Sequence, residues 1–133
     1  MTKILRSRQK IFAKNKAINT TGEVGQFGSL ASGAKLVSGN VETLQALPAY
    51  EEGWGAATTG ATALPSLEEF NALNYINTYQ LAYLFQEGFA EYNSATTYFI
   101  NGLVKEAGTV KIYKSLSDNN VGNALTNTTH WRL

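Results

Sequence analysis

The residues that could perform nucleophilic catalysis are almost absent from this sequence. Among its 133 residues there is one histidine, His130, and there is no cysteine. A catalytic triad needs a base within reach of a nucleophile, and a tetrahedral zinc site needs several histidine or cysteine ligands. We therefore expect no triad and no transition-metal site, and the sequence predicts no cofactor.

Paired carboxylates could still cleave a sugar polymer, because glycosidases place two acids about 5 to 9.5 Å apart across the bond. Two of the acids follow a helix start, where negative charge suits the helix dipole, and two others lie in a glycine-rich stretch. Structural or solvated roles explain these acids better than catalysis, so we predict that the protein is not an enzyme. The candidate acids are Glu51, Glu52, Glu68, Glu69, Glu87, Glu91, Glu106 and Asp118.

Phosphate-binding signatures are also missing, since the glycines between Gly25 and Gly39 have neither P-loop nor GxGxxG spacing. A basic arm nevertheless precedes the first acidic residue, Glu23, and it contains one aromatic residue, Phe12. We expect this arm to dock on an acidic protein neighbour rather than on the phosphates of nucleic acid. Its cations are Lys3, Arg6, Arg8, Lys10, Lys14 and Lys16.

The composition is that of a folded chain, with 44% hydrophobic and 16% charged residues. The length allows one modest core or two very small ones. No apolar run approaches the roughly 18 to 20 residues that cross a bilayer, and the N-terminus lacks the apolar stretch of a secretory signal. We expect no membrane insertion and synthesis in a cytoplasm.

Four segments follow one another in an α+β chain. We predict a basic arm over residues 1–25, an extended glycine-rich region over 26–64, a long helix over 65–88 and a small β module over 89–133. Within the second segment, Asn40 can cap a short helix that Pro48 ends.

The long helix has the clearest signal, because Ser66 and Glu69 form an S-x-x-E capping box and Gly88 suits a left-handed C-terminal residue. Its apolar residues surround most of the cylinder, so we expect burial on several sides. Two arrangements would achieve this. The chain's own sheet covers the helix, or the helix joins a trimeric bundle in which Asn74 or Asn77 points at the axis and fixes the oligomeric state.

The last segment has the pattern of three strands. Leu103 and Val104 precede Gly108, and Ile112 and Tyr113 follow it, which predicts a hairpin that turns near residues 107–108. Residues 118–123 are dense in Asp, Asn and Gly and should form an exposed loop before a last strand around residues 130–133.

Several spaced motifs resemble the N-terminal region of phage and prophage tail-fibre-like proteins. These are Gln26-Phe27-Gly28-Ser29, Leu47-Pro48-Ala49-Tyr50 with Gly53-Trp54, Phe70-Asn71-Ala72-Leu73, and Gln80-Leu81-Ala82-Tyr83-Leu84-Phe85-Gln86-Glu87-Gly88. The motifs between Glu91 and Trp131 resemble the small β module that these proteins share with type 5/12 carbohydrate-binding modules.

This resemblance implies a structural virion protein, a short tail fibre or fibre adaptor that forms a trimer and attaches to tail or baseplate proteins. We expect the glycine-rich region and the helix to make the attachment and oligomer contacts. The residues concerned are Gln26, Phe27, Gly28, Trp54, Phe70, Leu73, Asn74, Ile76 and Asn77.

The alternative that the resemblance implies is an adhesin that recognises a host surface glycan through Tyr92, Tyr98, Tyr113 and Trp131. In the carbohydrate-binding relatives, adjacent tryptophans stand in the loop after the second strand. Here that loop begins with Ser117-Asp118. We therefore expect these aromatic side chains to form the core of the module rather than a platform for sugars.

Overall fold

A computed structural model of the chain describes residues 10–15, 23–60 and 63–133. The chain divides into two compact units, Met1–Ala82 and Tyr83–Leu133. Most of the predicted basic arm lies outside the described residues. The predicted mixture of helix and sheet is confirmed, with one long helix and one three-stranded antiparallel sheet.

The first unit contains three short helices, α1 (Val41–Gln45), α2 (Pro48–Glu52) and α3 (Trp54–Ala57). Asn40 caps α1 as predicted, since its side chain accepts a hydrogen bond of 2.8 Å from the Thr43 amide. Pro48 begins α2, because proline needs no hydrogen-bond partner for its nitrogen at a first helical position. The predicted short helix after Asn40 is therefore present, and two further helices, α2 and α3, lie where extended chain was expected.

The long helix α4 spans Leu67–Glu87, and the capping box predicted at its start is confirmed. Glu69 Oε2 accepts the Ser66 amide at 3.0 Å, and Ser66 Oγ accepts the Glu69 amide at 3.2 Å. Gly88 ends the helix with a φ of +82°, as predicted, and its amide donates to the Leu84 carbonyl at 2.8 Å.

The first turn of α4 also anchors the glycine-rich segment. Glu69 Oε1 accepts the Gly28 amide at 2.8 Å, and the Glu69 residue is only 2% exposed. The Gly25 amide donates to the Glu68 carbonyl at 2.9 Å, and a Cβ at Gly25 would lie 2.7 Å from Glu68 Cβ. Only glycine permits this approach, and an ion pair between Lys35 and Glu68 reinforces it.

The core of the first unit is small and lies on one face of α4. Ala72, Tyr75 and Ile76 pack there. Burial raises the pKa of Tyr75, and neighbouring Tyr79 adds to the rise. The Tyr75 hydroxyl donates to the Gly39 carbonyl at 3.1 Å. The residues that complete this core are Val24, Phe27, Leu44 and Ala57.

The described residues of the chain leave one side of α4 exposed. Leu67, Phe70 and Leu81 are 63%, 53% and 47% exposed. The described residues therefore do not provide the burial on several sides that the sequence predicted. None of the helices in the described parts of the chain combines the length and apolar character that a membrane span requires.

The second unit contains the predicted three-stranded sheet, with strands β1 (Leu103–Lys105), β2 (Ile112–Ser115) and β3 (Trp131–Arg132) in the order β1-β2-β3. The hairpin of β1 and β2 is confirmed, and the Thr109 amide closes its turn by donating to the Glu106 carbonyl at 3.1 Å. Because successive residues of a strand face opposite sides, Ser115 and Trp131 point to one face of the sheet and their neighbours to the other.

The loop over residues 118–123 departs from the prediction at one residue. Asn119 adopts a φ of +53°, as the turn-rich sequence suggests, but Asn120 is 1% exposed. Asn120 Nδ2 donates to Ser115 Oγ at 3.0 Å and to the His130 carbonyl at 3.2 Å. A side chain expected in an exposed loop therefore joins β2 to the start of β3.

Replacing Glu69 with alanine should destabilise the first unit by about 2–4 kcal/mol, since hydrogen bonds to charged groups contribute about 1.5–3 kcal/mol and a helix cap about 1 kcal/mol. Hydrogen exchange should show faster exchange of amides in residues 23–60, that of Gly28 included. Glu52→Ala, an exposed acid in α2, is the matched control. Unchanged protection of Gly28 in Glu69→Ala would contradict the anchoring role of the carboxylate.

Candidate functional site

Of the four aromatic residues predicted as glycan contacts, Trp131 is buried in the second unit, and Tyr92 and Tyr98 are half-buried beside it. The rings of Tyr92 and Tyr98 lie 5.9 Å apart, and Trp131 meets them edge-on at 5.7 and 5.2 Å. Trp131 is 2% exposed, and its Nε1 donates to the Asn123 carbonyl at 2.8 Å. A sugar cannot stack on this tryptophan. Tyr113 on β2 is half-buried and outside this cluster of rings.

A hydroxyl and the one imidazole meet in this unit, which the sequence reasoning missed. Ser117 Oγ lies 2.9 Å from His130 Nδ1, although the two residues are 13 positions apart. In the described part of the chain, no carboxylate contacts the His130 ring. Asp118, the nearest acid in sequence, instead accepts the Ile100 amide at 3.0 Å. The contact between Ser117 and His130 joins the segment after β2 to the segment before β3.

The acids of the second unit act as partners for cations and backbone groups. The bond to Glu87 raises the pKa of Lys105, and the bond to Glu106, at 3.2 Å, raises the pKa of Lys111. Within the residues that the structure describes, no group of three or more His, Asp or Glu side chains could hold a metal ion. In the first unit, the acids Glu68 and Glu69 lie in the first turn of α4, where Glu69 caps the helix and Glu68 pairs with Lys35.

Three of the predicted attachment residues line one pocket in the first unit. Phe27, Trp54 and Leu73 meet there with Tyr50, around a cavity of about 300 Å³. The Phe27 ring lies 5.4 Å from Tyr50 and 5.9 Å from Trp54. The pocket collects residues that are far apart in sequence, and its wall is largely apolar and aromatic. Such a pocket can accept an apolar side chain of another protein.

Two more predicted attachment residues flank this pocket. The Gln26 amide donates to the Leu36 carbonyl at 2.8 Å, which holds the glycine-rich loop closed on itself. Gly28 is held by Glu69, and a Cβ there would approach Ala49 Cβ at 3.3 Å. Both residues position the backbone beside Phe27 and offer little side chain to a partner.

The remaining predicted contacts divide between two faces of α4. Phe70, Asn74 and Asn77 lie on the face away from the core. Ile76 is fully buried among the chain's own core residues. The prediction that Ile76 makes oligomer contacts is therefore wrong for this conformation, because no second molecule can reach its side chain.

The outer face of α4 has a spacing that the sequence reasoning missed. Leu67, Phe70, Asn74, Asn77 and Leu81 follow one another at intervals of three, four, three and four residues. The next residue at this spacing is Leu84. Alternating intervals of three and four define the a and d positions of a heptad, which form the contact seam of a coiled coil. The helix has apolar residues on most of its circumference, so this narrower stripe does not stand out from the composition alone. We call these five residues the heptad seam.

No family model, no curated protein and no solved structure matches this chain.

Replacing Trp131 with phenylalanine should destabilise the second unit by about 1–3 kcal/mol, because the change removes the hydrogen bond to Asn123 and leaves space in a packed cluster. Hydrogen exchange of the β2 and β3 amides would measure this. Tyr113→Phe is the matched control, since the Tyr113 hydroxyl has no hydrogen bond within the described chain. Equal protection in Trp131→Phe and wild type would contradict a structural role for the indole.

Proposed function

We propose that this chain is a non-enzymatic structural protein of a bacteriophage tail, a short fibre or fibre adaptor that works as a homotrimer. It is made in the host cytoplasm and carried in the virion, where it attaches to tail or baseplate proteins. The observation that carries the proposal is the exposed heptad seam of α4.

The heptad seam suits a second copy of the same chain better than a foreign helix. In a parallel assembly in register, Asn74 meets Asn74 and Asn77 meets Asn77, so the polar side chains satisfy one another. Asn74 Nδ2 already donates to the Phe70 carbonyl at 2.9 Å, but an apolar partner would cover the Asn74 side-chain oxygen and the Asn77 amide at a cost of about 1–3 kcal/mol each. A buried asparagine of this kind fixes register and oligomeric state.

The distribution of charge also permits copies of the chain to approach one another along the heptad seam of α4. The positions that flank the seam between Leu67 and Leu81 are uncharged, so identical helices bring no like charges together. These flanking residues are Asn71, Leu73, Thr78 and Gln80. The acids of this part of α4, Glu68 and Glu69, lie on the buried face.

The attachment role rests on the pocket of the first unit and on the resemblance to tail-fibre-like proteins. Phe27, Tyr50, Trp54 and Leu73 come from the motifs that carry this resemblance, and they converge on one cavity. Motifs that are separate in sequence but share a pocket support a common binding role. An apolar side chain of a tail or baseplate protein fits a cavity of this size and lining.

Glycan recognition through Tyr92, Tyr98, Tyr113 and Trp131 has less support. Three of these four rings pack on one another, and the bonds of Trp131 and Tyr92 to the Asn123 carbonyl turn their polar atoms inward. These residues account for the stability of the second unit without a ligand.

Glutamate at Phe70 or Leu81 should convert the trimer to a monomer, because three carboxylates would meet without partners at the assembly axis. Light scattering coupled to size-exclusion chromatography would measure the mass of the purified chain. Val110→Glu adds the same charge at a residue that is 95% exposed, and this control should remain trimeric. A wild-type chain that stays monomeric at all accessible concentrations would overturn the homotrimer.

The tail assignment predicts that purified phage particles from a culture that expresses the gene contain the chain. Quantitative mass spectrometry should find it in a multiple of three copies per tail, and Trp54→Ala, which opens the pocket, should lower its occupancy. Val110→Glu again serves as the control. Recovery of the chain only from the soluble lysate, with none in the particles, would reject the assignment to the virion.

A further inference from the structure

The open face of the three-stranded sheet carries two cations side by side. Lys114 on β2 is paired in register with Arg132 on β3. Their strand neighbours Ser115 and Trp131 are buried, so Lys114 and Arg132 point to the opposite, solvent-facing side. Residues directly opposite on antiparallel strands have Cβ atoms about 4.5–5.5 Å apart. The two positive charges are therefore close neighbours.

Among the described residues, neither cation has a carboxylate partner. The unit contains four cations and four acids. Glu87 bonds Lys105, Glu106 bonds Lys111, and Asp118 bonds a backbone amide. The fourth acid, Glu91, forms a backbone bridge with Lys105.

In the part of the chain that the structure describes, Lys114 and Arg132 contact no carboxylate. Like charges directly opposite one another destabilise a sheet. A bound anion would remove this repulsion.

The surroundings of the pair indicate what kind of anion fits. An arginine guanidinium can bind a carboxylate through two parallel hydrogen bonds, and a lysine adds a point charge beside it. Leu103 lies opposite Lys114 on β1 and is exposed, as is Ile112 on β2. Apolar side chains beside a cation pair suit a ligand that has both charged groups and C–H surfaces, as acidic sugars have.

The balance of charge argues against a dense polyanion. Four acids share the unit with four cations, whereas proteins that bind nucleic acid present a surface with a clear excess of basic residues. A polymer whose charges are widely spaced avoids repulsion by these acids. We propose that Lys114 and Arg132 form a binding site for the carboxylates of an acidic polysaccharide. The site needs neither the heptad seam nor the aromatic cluster.

Binding of the labelled full-length chain to hyaluronate, which carries one carboxylate for every two sugars, tests this site. Dextran, an uncharged sugar polymer, and single-stranded DNA are the comparison ligands. The wild-type chain should bind hyaluronate at low salt, this binding should weaken as salt rises, and dextran and DNA should bind more weakly.

The double variant Lys114→Gln with Arg132→Gln should weaken binding by about tenfold or more. The matched control is Lys111→Gln, which removes one charge that Glu106 already neutralises and should change binding by no more than about twofold. The unfolding temperature of the double variant should equal or exceed that of wild type, because a like-charge pair is removed.

Three results would overturn the site. These are no wild-type binding to hyaluronate at low salt, an equal loss in Lys111→Gln and the double variant, and binding of DNA or dextran as strong as that of hyaluronate. The mass of the double variant should also be measured. If the double variant remains a trimer, a loss of binding concerns this site and not the proposed assembly.

Discussion

The carboxylate of Glu69 is the constraint on which the first unit depends. One oxygen caps α4 and the other holds the Gly28 amide. A buried carboxylate is tolerated only when its acceptors are satisfied, so the glycine-rich segment cannot leave the helix start without a large energetic cost. Because Phe27 precedes Gly28, the same bond sets the wall of the aromatic pocket. A helix cap and a binding pocket are thus parts of one hydrogen-bond system.

The two faces of α4 divide the work of folding and assembly. Ala72, Tyr75 and Ile76 complete a core that belongs to one chain. The heptad seam on the other side remains available to a second copy. A core this small contributes limited stability, and association that buries more apolar surface would add to it through mass action. Stability and oligomerisation are therefore linked in the assembly that we propose.

Local signals in the sequence predicted the local features of the fold. The capping box, the Asn40 cap, the end of α4 at Gly88 and the hairpin all rest on bonds between residues a few positions apart. The hydrogen bond between Gly28 and Glu69 spans 41 positions, and no periodic pattern in the sequence predicts it. The burial of Asn120 likewise needs β2 and β3 to be in place. Such distant contacts also decide which residues of α4 face the core and which face solvent. The sequence therefore did not show that Ile76 is buried and Phe70 is exposed.

The separation between Gly28 and Glu69 has a consequence during synthesis on the ribosome. The glycine-rich segment emerges 41 residues before the carboxylate that holds it. At about 5–20 residues per second this delay is roughly 2 to 8 s. The segment must wait that long without its acceptor, whereas the strand pairs of the second unit join residues 7 to 18 positions apart. The Gly28 amide can therefore be held only after the beginning of the long helix, which is made later, has emerged.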